Sequence, residues 1–424
     1  MKNLWFEQTK YLILVLTSSI ILFGFNHHSY ADETNSSSIS KFSIQSAGAS
    51  FPYPLIDHWR TEYEIIHPEI NINYQSIGSG GGIKQHIEHT IHFAATDVPL
   101  TENEAKLAPN TLHIPETLGA IAIIYNIPEI PHKGLKLTGV NLAEIYMGKI
   151  TTWNDPKIQI NNKTVNLPDA KIIPVRRSDS SGTTFVFTDY LSKLSAEFDV
   201  NVGAGKSVPL GIGVAVLGNE GISSIVASTP FSIGYVELAY ALQTNSSFAY
   251  IENADKTNFV EPTMDSISSA ASMMVNNMPR ANDIWDDVTI INSPGINSYP
   301  LSSFTYLIIY EDLINTVKSK DHAIALANLF YWMLTDGQIH SSSLFYAPLP
   351  QQIVKLGIDG ISNLKYDGKL LVHDNESNII YDNVNLNLPT WIRDVAKWWV
   401  NGMISDLEYI NHIRYLLNNE LIKL

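Results

Sequence analysis

A chain of 424 residues, 45% hydrophobic and 16% charged, has globular composition and is too long for one core, which excludes disorder and predicts two or more domains. A net charge of −15 leaves no basic field to hold nucleic acid or an anionic membrane. The absence of cysteine excludes disulfides, thiolate metal sites, a cysteine nucleophile and a lipid-modified cysteine.

In chain order, Lys2 and Lys10 flank an apolar run from Tyr11 to Phe25, followed by the small-x-small sequence Ser29-Tyr30-Ala31. The run has the length of a signal-peptide core and falls short of a membrane span, so residues 1–31 read as an export signal. Residues 32–40 are polar and read as a linker. From Lys41 onward, strand and helix patterns alternate. Phe42 to Ser46 and Ile70 to Tyr74 alternate apolar and polar with period two, as half-buried strands do. Leu55, Ile56, Trp59 and Tyr63 recur between them at helical spacing, after Pro52 and Pro54. Ile83 and Ile87 open a further helix after the run Gly78 to Gly82, Lys171 to Val175 reads as a strand, and Thr183 to Leu194 as the helix after it. The alternation predicts an α/β architecture with helices covering mainly parallel sheets.

Composition shifts near Asp367, and residues 366–388 read as a turn-rich linker closed by Pro389. In the last stretch, 389–424, Trp391, Val395, Trp398 and Trp399 share a helical face that Gly402 stops, and Ser405-x-x-Glu408 caps a second helix. The stretch is a helical hairpin too small to be stable without docking on something.

Three places where a strand meets a helix carry the chemistry. Gly48-Ala49-Ser50-Phe51-Pro52 sets a hydroxyl before a helix. Gly78-Ser79-Gly80-Gly81-Gly82 combines a hydroxyl with backbone that can approach a ligand closely. Arg177-Ser178-Asp179-Ser180-Ser181-Gly182-Thr183-Thr184 joins a guanidinium to hydroxyls and bare backbone. Helix N-termini present unpaired N–H groups, and Arg adds a planar donor fork, so each place suits an oxyanion. Each alone is also what an ordinary helix cap looks like.

The blocks Ser46 to Pro54, Tyr74 to Gln85, Phe93 to Leu100, Ile145 to Trp153, Val175 to Phe187 and Ile233 to Glu237 resemble, collinearly over residues 43–360, the phosphate-binding subunit of the phosphate ABC importer. The resemblance implies a two-lobed periplasmic-binding-protein-like fold of type II with a hinge. Residues 41–117 with 299–365 would form one lobe and 118–298 the other, with crossovers near Thr117 and Pro300. It implies that phosphate is held by Ser50, the Phe51 N–H, Ser79, Asp97, Arg177, Ser181, Gly182 and Thr183, with Asp179 orienting the arginine. Ser50 stands where many relatives have threonine, and Gly80 where some have a second serine. The implied protein is a monomeric, exported solute-binding protein that hands inorganic phosphate to a membrane permease, without cofactor, metal or catalysis. The C-terminal hairpin resembles a module appended to exported archaeal proteins, and offers a contact to the cell envelope. An Asp in an anion site fits phosphate, which keeps a proton to donate, over sulfate, which does not.

Other signals carry less. Gly203-Ala204-Gly205-Lys206-Ser207 imitates a nucleotide-binding loop, but Val200 stands where the first glycine belongs and Val208-Pro209 follows in place of a helix. His86, His89 and His92 are spaced by three but read as solvated surface histidines, because His92 falls beyond the helix. With no Gly-x-Ser-x-Gly elbow, a phosphate-releasing hydrolase is the alternative from another class. An envelope sensor or adhesin is a third.

Overall fold

The computed structural model describes residues 42–371, apart from 129, 131, 276, 277, 286 and 287. The expected signal and first linker, most of the second linker and the C-terminal hairpin lie outside the described residues. No helix among those described is long and apolar enough to cross a membrane.

The first side of the molecule is built from β1 (Phe42–Gly48), α1 (Tyr53–Ile66), β2 (Ile70–Ser76), α2 (Ser79–Ile87) and β3 (Phe93–Thr96). Strand β1 pairs in parallel with both β2 and β3. Leu55, Ile56, Trp59 and Tyr63 form the buried stripe of α1, as the spacing predicts, and the Trp59 indole N–H donates to the Gly337 carbonyl at 2.7 Å.

Helix α2 begins at Ser79, inside the glycine run and four residues before the expected start. Glycine is a poor helix former, and close packing explains its use here. A Cβ on Gly82 would lie 2.5 Å from Gly48 Cα and 2.8 Å from Ala47 O. Only a bare backbone lets α2 lie directly on β1.

Two long strands organise the rest. β4 (Thr111–Tyr125) and β11 (Ser302–Tyr310) are buried along their entire lengths. β11 pairs antiparallel with β3 and with the first part of β4, ending at Ala120, and from Ile121 onward β4 pairs instead with β8 (Ser232–Glu237). The sheet therefore runs β2-β1-β3-β11-β4-β8-β6-β7, where β6 is Ile173–Arg177 and β7 is Val214–Val216. The expected mainly parallel sheet is mixed, because its centre is this antiparallel pair. The β4–β11 register slips between Thr305 and Tyr306, which face Thr117 and Pro115. Glu116 is thus the extra residue of a bulge in the strand common to both sides.

Two further readings are corrected. His86 is buried, its ring stacked on Tyr310 at 4.2 Å and its Nε2 2.8 Å from Thr111 Oγ1. His92 is half-buried and accepts the Gln45 N–H at 3.0 Å. Neither is a solvated surface histidine. The linker expected from residue 366 opens with ordered structure. Lys365–Tyr366 and Lys369–Leu370 pair as a hairpin through an Asp367-Gly368 turn with both residues at positive φ.

The close approach of α2 to β1 makes Gly82→Ala an overpacking change, with an expected loss of about 1–3 kcal/mol of stability. Denaturant unfolding reads this directly; an unchanged midpoint would show that α2 can lift off β1 at no cost.

Candidate functional site

The candidate residues follow the carboxyl ends of strands, where open α/β sheets place their ligand crevices. Ser50 lies just past β1, Ser79 past β2 and Asp97 directly after β3, while Arg177 is the last residue of β6. Ser181 caps the helix Gly182–Leu194 (α3 here), its Oγ accepting the Thr184 N–H at 3.0 Å. The Gly182 and Thr183 N–H groups, first in that helix, have no intrahelical acceptor. All these loops meet. The Gly80 N–H donates to Ser180 O at 3.0 Å, and a Cβ on Gly182 would overlap Ser79 Oγ and sit 2.6 Å from Asp97 Oδ2.

The first loop is held by its carbonyls. Tyr74 donates to Ala49 O at 2.6 Å, Tyr240 to Ser50 O at 2.7 Å and Tyr346 to Phe51 O at 2.7 Å. Three consecutive carbonyls are thereby satisfied by buried phenols from three different parts of the chain. The Ser50 hydroxyl accepts from the Asn219 backbone N–H at 3.3 Å and from its Nδ2 at 2.9 Å.

Arg177 and Asp179 form a buried pair. The arginine Nε donates to Asp179 Oδ1 at 2.8 Å and Nη2 to Oδ2, while Gly218 N–H adds a donor to Oδ1 at 3.3 Å. Nη1 is left facing Thr183 Oγ1 at 3.4 Å. One edge of the guanidinium is fixed, and the other is turned to the place where Asp97 and Thr183 meet.

Asp97 is 2% exposed. Its backbone N–H donates to Ser79 Oγ at 3.2 Å, and its Oδ2 lies 3.4 Å from Thr183 Oγ1. Its Oδ1 is buried and has no hydrogen-bond partner among the described residues. Burial pushes its pKa up to about 7, against the pull of Arg177. Two further buried carboxyls stand close. Burial lifts Glu116 to about 8, with Asp97 adding to the rise, and lifts Glu237 well above its ordinary range.

A model described as the PBP superfamily domain matches residues 29–336. The phosphate-binding protein PstS of Methanocaldococcus jannaschii is 37% identical over 346 residues, covering 78% of this chain and 89% of that one. PstS of Xylella fastidiosa is 41% identical over 312 residues, covering 74% and 83%. The chain belongs to the PstS family of the PBP superfamily. The solved phosphate-binding protein of Stenotrophomonas maltophilia shares the fold, with a TM-score of 0.56 at 16% identity over 75% of this chain and 93% of that one.

Two residues of this PstS-family site escaped the sequence reading. Asn219 stands at the second position of the helix Gly218–Ser228, and Glu237 ends β8. A Gly-Asn pair opening a helix after a short strand is the signal that could have found Asn219; Glu237 has none, because nothing local says that it is buried.

The raised carboxyl pKa values set a pH dependence. The folded chain keeps protons on Asp97 and Glu116 that the unfolded chain releases above their ordinary values of 3.8 and 4.5. Stability of the ligand-free protein is therefore expected to fall as pH rises from about 4 to 8, by up to about 1.4 kcal/mol per pH unit for each group. Thermal melts across that range should show the decline, and Glu116→Gln should flatten its upper part. A melting curve indifferent to pH would mean that these carboxyls are already ionised in the fold.

Proposed function

We propose that this chain is an exported solute-binding protein which captures inorganic phosphate in the cleft and passes it, chemically unchanged, to the permease of an ABC importer. The family membership and the phosphate-binding names of its relatives support the reading. The observation that carries it is the buried Oδ1 of Asp97, which has no partner among the described residues, an acceptor among donors. An anion that still bears a proton donates it there. Phosphate does so near neutral pH, and sulfate cannot, which leaves the carboxylate unpaired at a cost of about 1–3 kcal/mol or more.

In this reading Ser50, Ser79 and Ser181 donate hydroxyl protons to the anion, Phe51, Gly182 and Thr183 donate backbone N–H groups, and the Thr183 hydroxyl donates to Asp97 Oδ2. Arg177 supplies Nη1, with Asp179 holding its other edge. The lobes are 41–117 with 299–365 and 118–298, and the switch of β4 from β11 to β8 at Ala120–Ile121 supports a hinge near Thr117 and Pro300. We further propose that the protein works as a monomer and that the segment 389–424 offers it a contact to the cell envelope.

Calorimetric titration of the chain with phosphate and with sulfate tests the reading. Tight one-to-one binding of phosphate alone is expected, and a folded chain that ignores phosphate would refute it. Arg177→Lys keeps a charge beside Asp179 but loses the fork, and should weaken phosphate about 10–100-fold, the equivalent of one charge-assisted bond.

The sulfate arm has a pH signature. Once protonated, Asp97 can itself donate to sulfate, so sulfate affinity should rise about tenfold as pH falls from about 8 to 6, through the Asp97 pKa near 7. Asp97→Asn should bind sulfate with no such dependence. Equal sulfate affinity at both pH values in the parent would sink the proton-donation account of selectivity.

A further inference from the structure

Asn219 is fully buried and is not acting as a helix cap. A capping side chain accepts N–H groups from its own helix. The Asn219 Oδ1 instead accepts the Glu237 N–H at the end of β8, at 3.1 Å. That bond fixes which way the amide points, since Oδ1 is committed and the NH2 group must face the opposite side. There Nδ2 lies 2.9 Å from Ser50 Oγ and 3.3 Å from Thr183 Oγ1. An amide nitrogen has two protons, and two hydroxyls stand ready to take one each.

The consequence lies in the protons of the hydroxyls. Ser50 Oγ accepts twice, from Asn219 Nδ2 and from the Asn219 backbone N–H. Its lone pairs are filled, so its own proton is free only to be donated. Thr183 Oγ1 accepts from Asn219 Nδ2 and from Arg177 Nη1, so its own proton goes to Asp97 Oδ2, at 3.4 Å. A hydroxyl can offer an anion either a proton or a lone pair, and only the proton attracts. We propose that Asn219 is a positioning residue that sets the Ser50 hydroxyl as a donor toward the bound anion and commits the Thr183 hydroxyl proton to Asp97. Ser50 comes from the loop after β1 and Thr183 from the helix after β6, so one amide orders hydroxyls on both sides of the cleft.

The inference rests on the phosphate reading of the cleft, and the experiment separates the two. Asn219→Asp is nearly isosteric and keeps an oxygen for the Glu237 N–H, but replaces the donor end with an acceptor. The Ser50 hydroxyl then donates to that carboxylate and turns a lone pair toward the anion. Added charge alone would also weaken binding, so the readout is a double-mutant cycle with Ser50→Ala, measured by phosphate titration of chains whose ligand-free melting temperatures confirm folding. In the parent, Ser50→Ala removes a donor and is expected to weaken phosphate about tenfold. Beside Asn219→Asp it removes a misdirected hydroxyl and should cost nothing or restore affinity. The same tenfold cost in both backgrounds would overturn the proposal, since a purely structural or purely electrostatic role leaves the Ser50 contribution unchanged. If Asn219→Asp does not fold, Asn219→Ala takes its place. Ser50→Ala should then cost less beside it than in the parent, and equal costs again overturn the inference. A parent chain that binds no phosphate fails the site reading itself and removes the premise.

Discussion

A carboxylate buried among N–H and O–H donors is the constraint on which the rest of the site depends. Asp97 would be satisfied at once by an ion pair with Arg177, and the cleft would then have little left to offer an anion. Asp179 prevents this by taking Nε and Nη2 of the arginine, itself steadied by the Gly218 N–H. Only Nη1 remains to face Asp97 and Thr183. Burial therefore outweighs attraction and holds Asp97 near pKa 7, poised between accepting and donating at the pH where phosphate itself changes charge. The Arg177–Asp179 pair is a buried salt bridge of the kind that adds little to stability compared with apolar packing. It leaves Nη1 as the guanidinium nitrogen that faces Thr183 and the Asp97 side of the cleft.

The net charge of −15 sharpens the same point. A dianion approaching this surface meets repulsion at long range, so capture must come from contacts made within the cleft. The tyrosines 74, 240 and 346 serve this by fixing three successive carbonyls of the first loop. A loop already held in place spends little entropy when its N–H and O–H groups engage a ligand. Three phenols and an amide thus do for the first loop what Asp179 does for the arginine.

Much of this was legible in the sequence, and the exceptions have physical causes. Phe42 to Ser46 and Ile70 to Tyr74 alternate because one face of each strand is less buried, and that difference is what a period-two pattern records. β4 and β11 are buried on both faces, so their sequences carry no alternation, and the pair at the centre of the sheet went unread. The three anion loops were legible as strand-to-helix punctuation; their convergence was not, because the contacts that join them are long-range, as with Asn219, which bridges Ser50 and Thr183 and lies 169 residues from Ser50. His86 was misread for the same reason. A histidine on a short helix is solvated or buried according to what packs over it, and Tyr310 is 224 residues away.

In the proposed two-lobed reading, contacts across the cleft decide how firmly it stays shut. Tyr240 and Asn219 reach the Ser50 loop, Gly80 N–H reaches Ser180 O, and Lys206 pairs with Glu104 at 2.6 Å. Neutral hydrogen bonds contribute about 0.5–1.5 kcal/mol each, and an ion pair near the surface about 0–1 kcal/mol. Against them stands the desolvation of Asp97, with one oxygen unpaired. Opposed terms of this kind leave an equilibrium that a ligand with differential affinity for the two states can shift. In the proposed reading, an anion that donates to Asp97 converts that desolvation cost into a bond, and its departure restores the cost, so the same carboxylate would both select the ligand and loosen the cleft once it has gone.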